Sequence, residues 1–387
     1  MDTINVFEEE RKQFKALDKW VYLDHPTYGL IPQYSLDRMV PYLERRNSEG
    51  VSVTEFWNTW NHADDLRRDI AEMIGCDGTE VLYGQSSTQL FNIIANGIAL
   101  EPGDNIVTTD SVYPADAYVW LNKEAQGIEL RYAETGAEGI SPEELMNYTD
   151  GHTKAVALCM VENKTGWCHD MKRIGELCHQ RNILLIADVT QCINVKKINV
   201  REMNIDFLTT SIYKWMMGAQ GLGFGYIRKE LLPLLSQNVC GWVGSVDRSH
   251  NNAKQLKLSS DAKRFELGGI SFSALLGMEA VVKRYLDLGG GAVEERVQTL
   301  VQHVYDRAKR DLKKIKLNAE LPRENRSGIV IFKIPEGMKI TDEMLAARGI
   351  RARVMNGTVI RTGFHYINNL NDADRLIDAL AEIENEN

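Results

Sequence analysis

An acid and an amine, Asp188 and Lys214, stand out in residues 183–225, ILLIADVTQCINVKKINVREMNIDFLTTSIYKWMMGAQGLGFG. Asp188 closes the apolar run 183–187, and Lys214 lies just past a second run, 206–211. A third run, 224–227, follows a group of glycines. Runs of this length, bounded by polar residues, read as buried strands of an α/β sheet. Ligands of such sheets sit beyond the carboxyl ends of the strands, so both side chains are expected on one rim. That arrangement suits pyridoxal phosphate (PLP). A lysine forms the Schiff base with its aldehyde, and a carboxylate keeps the ring nitrogen charged, so that the ring draws electrons from a substrate Cα. Strand-ending aspartates and solvated lysines are common, and the pair requires support from the rest of the chain.

Gly84-Gln85-Ser86-Ser87-Thr88 lies between a strand-like run and the helical pattern QLFNIIANGI. Free N–H groups at a helix start, with the Ser87 and Thr88 hydroxyls, make a phosphate cradle. Serine and threonine at that position serve equally as helix caps. Gly218, Gly221, Gly223 and Gly225 lead into an apolar strand rather than a helix, which rejects a dinucleotide fingerprint. They suit a backbone passing close to the Lys214 turn. Tyr113 follows the strand-like IVTTD, where it would stack on a ring or anchor a loop. Asn163 and Gln191 are placed to donate to the ring phenolate, Gln191 alternatively to hold Asp188; both also suit structural caps. Arg361 ends the run GTVIR, and a guanidinium there fits a substrate carboxylate, with Arg351 and Arg353 as neighbours. His25 and His365 lie near these segments without an evident role.

The elements that must position these residues alternate. Strands are expected at 80–84, 105–109, 128–132 and 154–161, with helices at 88–98, 114–125, 142–148 and 170–181. Such alternation argues for a mainly parallel sheet wound by helices. Before it come a charged amphipathic arm over 5–20, an extended piece at 22–24 and helices at 34–46 and 61–74. After it, helix is expected from Ser273 through 293–314, then strands 328–334 and 357–361 with helices 341–348 and 371–384. The division that follows is an arm, 1–32, joining the small domain; a large PLP-binding domain, 33–265; and a linking helix with a small α+β domain, 266–387. The net charge of −9 disfavours a nucleic-acid partner. No apolar run approaches the ~20 residues that span a bilayer, and the charged start lacks a signal-peptide core. Cysteines 76, 159, 168, 178, 192 and 240 show no CxxC or metal-ligand spacing. A reducing, cytoplasmic setting and no metal are expected.

In this order the residues resemble the class V aminotransferases of PLP fold type I, the group with cysteine desulfurases, kynureninases and isopenicillin N epimerases. The likeness runs from YLDHPTYGLIP (22–32) to VIRTGFHYINNLNDADRL (359–376), and its specific part is AD-x-x-Q (187–191) followed by S-x-Y-K-W (211–215). It implies a seven-stranded, mainly parallel sheet with a small α+β domain. It implies Lys214 as the Schiff-base lysine and Asp188 as the ring-nitrogen partner. Gln191 and Asn163 fall at phenolate contacts, Thr88, Ser211 and Tyr213 at phosphate positions, Tyr113 at the stacking position and Arg361 at the carboxylate site. Tyr213 occupies a slot that is often His and is Tyr in kynureninases. A homodimer with shared sites is implied as well. Two departures are visible. The desulfurases carry a nucleophilic Cys on a loop before that arginine, whereas no cysteine follows Cys240 here. RFELGGIS has Gly269 where the family places a phosphate-reaching Thr, a contact that Ser271 or Ser245 would have to replace.

The expected activity is therefore a PLP enzyme acting at the Cα of an amino acid. An aminotransferase is the leading expectation, a C–S or β-carbon lyase or an epimerase the alternative, and a persulfide-forming desulfurase is excluded on the missing Cys loop. A PLP-binding regulator without turnover finds no support, since both lysine and aspartate are present.

Overall fold

Alternation of apolar residues along the central strands decides the architecture. The computed structural model describes residues 3–248 and 253–386, so the extreme ends of the expected arm and C-terminal unit lie outside the described residues. In the strand Leu184–Asp188, Leu185 and Ala187 face one core cluster and Ile186 the other, as a period of two requires of a strand buried on both faces. Strands β2 (Val81–Gly84), β3 (Asn105–Thr109), β4 (Glu129–Ala133), β5 (Thr153–Cys159), β6 (Leu184–Asp188), β7 (Phe207–Ser211) and β8 (Gly223–Ile227) form one seven-stranded sheet. Its order is β2-β8-β7-β6-β5-β3-β4. All neighbours run parallel except those of β8, which is antiparallel to β2 and to β7. The expected mainly parallel α/β sheet is thus the observed one.

Helices α4 (Ser87–Gly97), α5 (Pro114–Leu121), α6 (Pro142–Leu145) and α7 (Met171–Gln180) follow β2 to β5 in turn. Before them stand α1 (Thr3–Arg11), α2 (Gln33–Ser48) and α3 (Val53–Ile74). The third begins well before the expected residue 61. Ser52 accepts from the N–H of Glu55 and the Glu55 carboxylate accepts from the N–H of Ser52, a capping box that starts the helix early. The long helical region after Ser273 is two helices, α8 (Phe272–Leu288) and α9 (Gly290–Asp311), parted at Gly289 with φ 78.

Strand β1 (Val21–Tyr22) pairs in parallel with β11 (Ile350–Arg351), bringing the N-terminal segment onto the C-terminal one. Arg11 reinforces this with a bidentate pair to buried Asp372 at 2.6 and 2.9 Å. The remaining strands, β9 (Lys316–Leu317), β10 (Ile329–Lys333), β12 (Arg353–Met355) and β13 (Val359–Gly363), form an antiparallel sheet in the order β12-β13-β10-β9. It is flanked by α10 (Asp342–Ala347) and α11 (Leu370–Glu386). The two- and three-residue strands β9, β11 and β12 are too short for a periodic signal.

Candidate active site

Parallel β5, β6 and β7 end side by side, so residues at their carboxyl ends converge. Cys159 and Asp188 are register partners across β5 and β6, and Asp188 and Thr209 across β6 and β7. Three residues past β7, Lys214 sits in a tight turn closed by the N–H of Met217 donating to the Lys214 carbonyl at 3.0 Å. Met217 takes a left-handed φ of 55, a conformation sustained by complete burial. The N-terminal segment lies directly on this turn. Gly29 donates to the Tyr213 carbonyl at 2.9 Å, and a Cβ at Gly29 would meet the Lys214 carbonyl oxygen at 1.9 Å, so only glycine permits the approach. Gly223, likewise, faces the Thr210 carbonyl at a distance no Cβ tolerates, which is the close backbone passage expected of that glycine run.

The Lys214 side chain is buried, with its ammonium nitrogen 5.0 Å from the ring centroid of Tyr113 and 5.7 Å from that of Tyr213. It has no hydrogen-bond or ion-pair partner among the described residues. Burial lowers its pKa; Arg361 pushes the same way, while Asp188 opposes. Asp188 is buried too, and accepts from the N–H of Thr190 at 2.6 Å. Burial raises its pKa, against the bonds from Thr190 and Ser87 and the charge of Lys214.

The Ser86 side chain takes the cap of α4 by accepting from the N–H of Gln89 at 3.2 Å, leaving Ser87 and Thr88 uncommitted to that task. Ser211 accepts from the Ser87 N–H at 2.8 Å and its hydroxyl lies 3.1 Å from that of Ser87, so these two residues meet beside the start of α4. Thr88 is exposed at the same helix end. Asn163 follows β5, and its Oδ1 is buried without a partner among the described residues. Gln191 is engaged at both ends of its amide: Trp215 Nε1 donates to it at 2.8 Å, and it donates to the Pro26 carbonyl at 3.1 Å. It therefore holds the residue after Lys214 in place. Arg361 is buried, donates to Thr27 Oγ1 at 2.6 Å and lies 3.8 Å from Asp24. Arg353 is its register partner on β12 and reaches Asp342, while Arg351 packs its guanidinium on Trp20 at 3.9 Å. Gly269, at φ 65, has open space around it; Ser271 caps α8, and Ser245 bonds the Lys257 carbonyl.

Three participants escaped the sequence reading. Asp116, in the first turn of α5, is buried and accepts from Cys159 Sγ at 3.2 Å, and burial together with nearby Asp188 raises its pKa strongly. Its spacing of three from Tyr113, one helical turn, was the available signal. Thr27 and Trp215 join the site only through tertiary contacts. Behind the Lys214 turn, the rings of His25 and His365 lie 4.9 Å apart, and His365 Nε2 donates to the Trp215 carbonyl at 2.9 Å.

A buried amine without a partner, facing an aromatic ring, with a buried carboxylate on the next strand, a hydroxyl-rich helix start and an orphaned amide oxygen, is a donor set that fits PLP. The fold and the site together define a PLP-dependent α/β enzyme. The family model for class V aminotransferases matches residues 21–376, and the chain belongs to that family. A probable cysteine desulfurase from Pyrococcus abyssi is 24% identical over 97% of both chains. Among solved structures, a cysteine desulfurase from Thermococcus onnurineus NA1 superposes with a TM-score of 0.87 at 21% identity, covering 98% of each chain. The cystine C–S lyase C-DES, in complex with cysteine persulfide, gives 0.86 at 20% identity, covering 96% of this chain and 99% of that one. These two structures share the fold.

One expectation is corrected here. The leading assignment as an aminotransferase, with desulfurase chemistry excluded, gives way because full-length relatives carry the name cysteine desulfurase. The physical reason lies in what a missing cysteine decides. A protein thiol is needed only where the bond is broken by attack on the sulfur; elimination, in which the Cβ–S bonding pair leaves with the sulfur, needs none.

Proposed function

We propose that the protein is a PLP-dependent C–S lyase acting on cysteine or its disulfide, cystine. The observation that carries this reading is the meeting of Lys214, Asp188 and Arg361 in one buried site, in a chain whose full-length relative is named a cysteine desulfurase. In this reading Lys214 anchors the cofactor aldehyde, Asp188 pairs with the ring nitrogen, Tyr113 covers the ring and Asn163 reaches the phenolate. Ser87, Thr88, Ser211 and Tyr213 hold the phosphate at the start of α4, where free N–H groups favour an anion. Gln191 acts on the ring contacts through Trp215 and Pro26. Bound there, PLP supplies the carbonyl that takes the substrate amine and the ring that accepts the electrons left at Cα.

The residues of the chain do the rest. Arg361, oriented by Thr27, takes the substrate carboxylate and so fixes which Cα bond faces Lys214. Lys214, its amine favoured in the neutral form by burial, takes the Cα proton. The bonding pair of the Cβ–S bond leaves with the sulfur, and the proton on Lys214 is at hand for it. We place the protein as a homodimer in a reducing, cytoplasmic compartment. Support comes from six free cysteines and from the exposed apolar side chains Trp242, Val246 and Leu256, which a second copy would cover. Among the described residues no helix is long and apolar enough to cross a membrane.

The test is incubation of the PLP-loaded protein with L-cysteine, L-cystine and sulfur-free amino acids, with sulfide or persulfide, pyruvate and alanine scored separately. Catalytic release of sulfide or persulfide with pyruvate as the carbon product is expected from the sulfur amino acids; alanine would mean that the bonding pair stays on Cβ and would contradict the elimination. Amino-group transfer without sulfur release would overturn the reading.

A further inference from the structure

Two loops carry the expected ring contacts, and one buried carboxylate joins them. Strand β3 ends at Thr109 and leads into the segment bearing Tyr113; strand β5 leads within four residues to Glu162 and Asn163. Glu162 Oε1 accepts from Thr109 Oγ1 at 2.7 Å and from His169 Nε2 at 3.0 Å. All three side chains are buried. The Glu162 backbone also closes the Asn163 hairpin. Its N–H donates to the Trp167 carbonyl at 2.9 Å, and its carbonyl accepts from the Gly166 N–H at 2.9 Å. His169 belongs to the returning arm, where its N–H donates to the Met160 carbonyl at 3.0 Å. One carboxylate thus fastens the end of β3, the end of β5 and the far side of the hairpin.

As packing alone this is an expensive device. Glu162 Oε2 and His169 Nδ1 have no partner among the described residues. A half-satisfied buried polar cluster is less stable than apolar side chains of the same volume, so stability alone does not account for it. What the cluster provides, beyond the sheet and the Asp116–Cys159 contact, is a fixed distance and orientation between the end of β3 and the Asn163 hairpin.

We propose that Glu162, held by Thr109 and His169, is a positioning residue that sets the spacing of Tyr113 and Asn163 across the cofactor pocket. The inference rests on the reading of those two side chains as ring contacts. It is tested by titrating the cofactor-free full chain with PLP and following the visible absorption band. Glu162→Ala should weaken PLP binding about tenfold and move the absorption maximum, since one charged hydrogen-bond anchor of each loop is lost. Glu162→Gln keeps an oxygen acceptor for both donors and should stay within about threefold of the parent. Thr109→Val cuts only the β3 connection; it should shift the band in the same direction and serves if the alanine variant fails to fold. A folded Glu162→Ala or Thr109→Val protein with the parent's affinity and band would overturn the proposal, whatever its melting temperature. A parent without any band, or a band that survives Lys214→Ala, would instead overturn the reading of the site itself, and this inference with it.

Discussion

Thr27→Val removes one hydroxyl and tests how the substrate is held. Arg361 is buried, its Nε lacks a partner, and among the described residues its one side-chain hydrogen bond runs to Thr27 Oγ1 at 2.6 Å. Asp24, at 3.8 Å, supplies charge but not direction. Valine keeps the volume and β-branching of threonine, so the fold should be unaffected apart from the lost bond. A hydrogen bond to a charged group is worth about 1.5–3 kcal/mol. If half of that orients the guanidinium, KM for the sulfur amino acid should rise roughly three- to tenfold. The turnover number should change little, because Lys214 and Asp188 are untouched. Steady-state kinetics of sulfur release, with Thr27→Ser as the variant that restores the bond, separates the two constants. A fall in kcat at constant KM, or equal kinetics for valine and serine, would refute the assignment of Arg361 as the carboxylate site oriented by Thr27.

Other outcomes follow from the fold. Burial lowers the pKa of His365 from 6.5 to about 4, so between those values the unfolded chain binds a proton that the folded chain refuses. Stability should therefore fall as pH drops through that window and level off below it. The share due to His365 between pH 6.5 and 5 is about 1.5 kcal/mol, readable as the difference in urea midpoints between the parent and His365→Gln; equal pH slopes would contradict it. The buried pair of Arg67 and Glu266, at 2.6 and 3.0 Å with the Tyr83 N–H also donating to Glu266, ties α3 and β2 to the chain after β8. Glu266→Ala strands a buried guanidinium and should cost about 3–5 kcal/mol by denaturant unfolding, a value below ~1 kcal/mol counting against the pair. Ser52→Ala breaks the capping box of α3 and should cost about 1 kcal/mol in the same measurement.

Asp188 and Lys214 were legible because each follows an apolar run whose length and termination are local properties. The sheet was legible for the same reason: β2, β3 and β5 to β8 are largely buried on both faces and their sequences announce it, while the edge strand β4 keeps exposed residues. What the chain hides is what only meets in three dimensions. Thr27 touches Arg361 across more than three hundred residues, and Asp116 reaches Cys159 from a helix that reads as ordinary. Gln191 looked like a free donor because nothing local shows that Trp215 and Pro26 occupy its amide. Helix α3 was cut short because the signal at Ser52 lies in a capping box rather than in apolar spacing. The choice among transfer, elimination and epimerisation was the least legible, since the cofactor permits all three and the pocket selects among them.

The most direct measurement reduces the PLP-loaded protein with borohydride, digests it and locates the pyridoxyl group by mass. The account requires it on the Lys214 amine, in a peptide from the turn after β7. Label on another lysine, or no label on a chain that has taken up the cofactor, would contradict it.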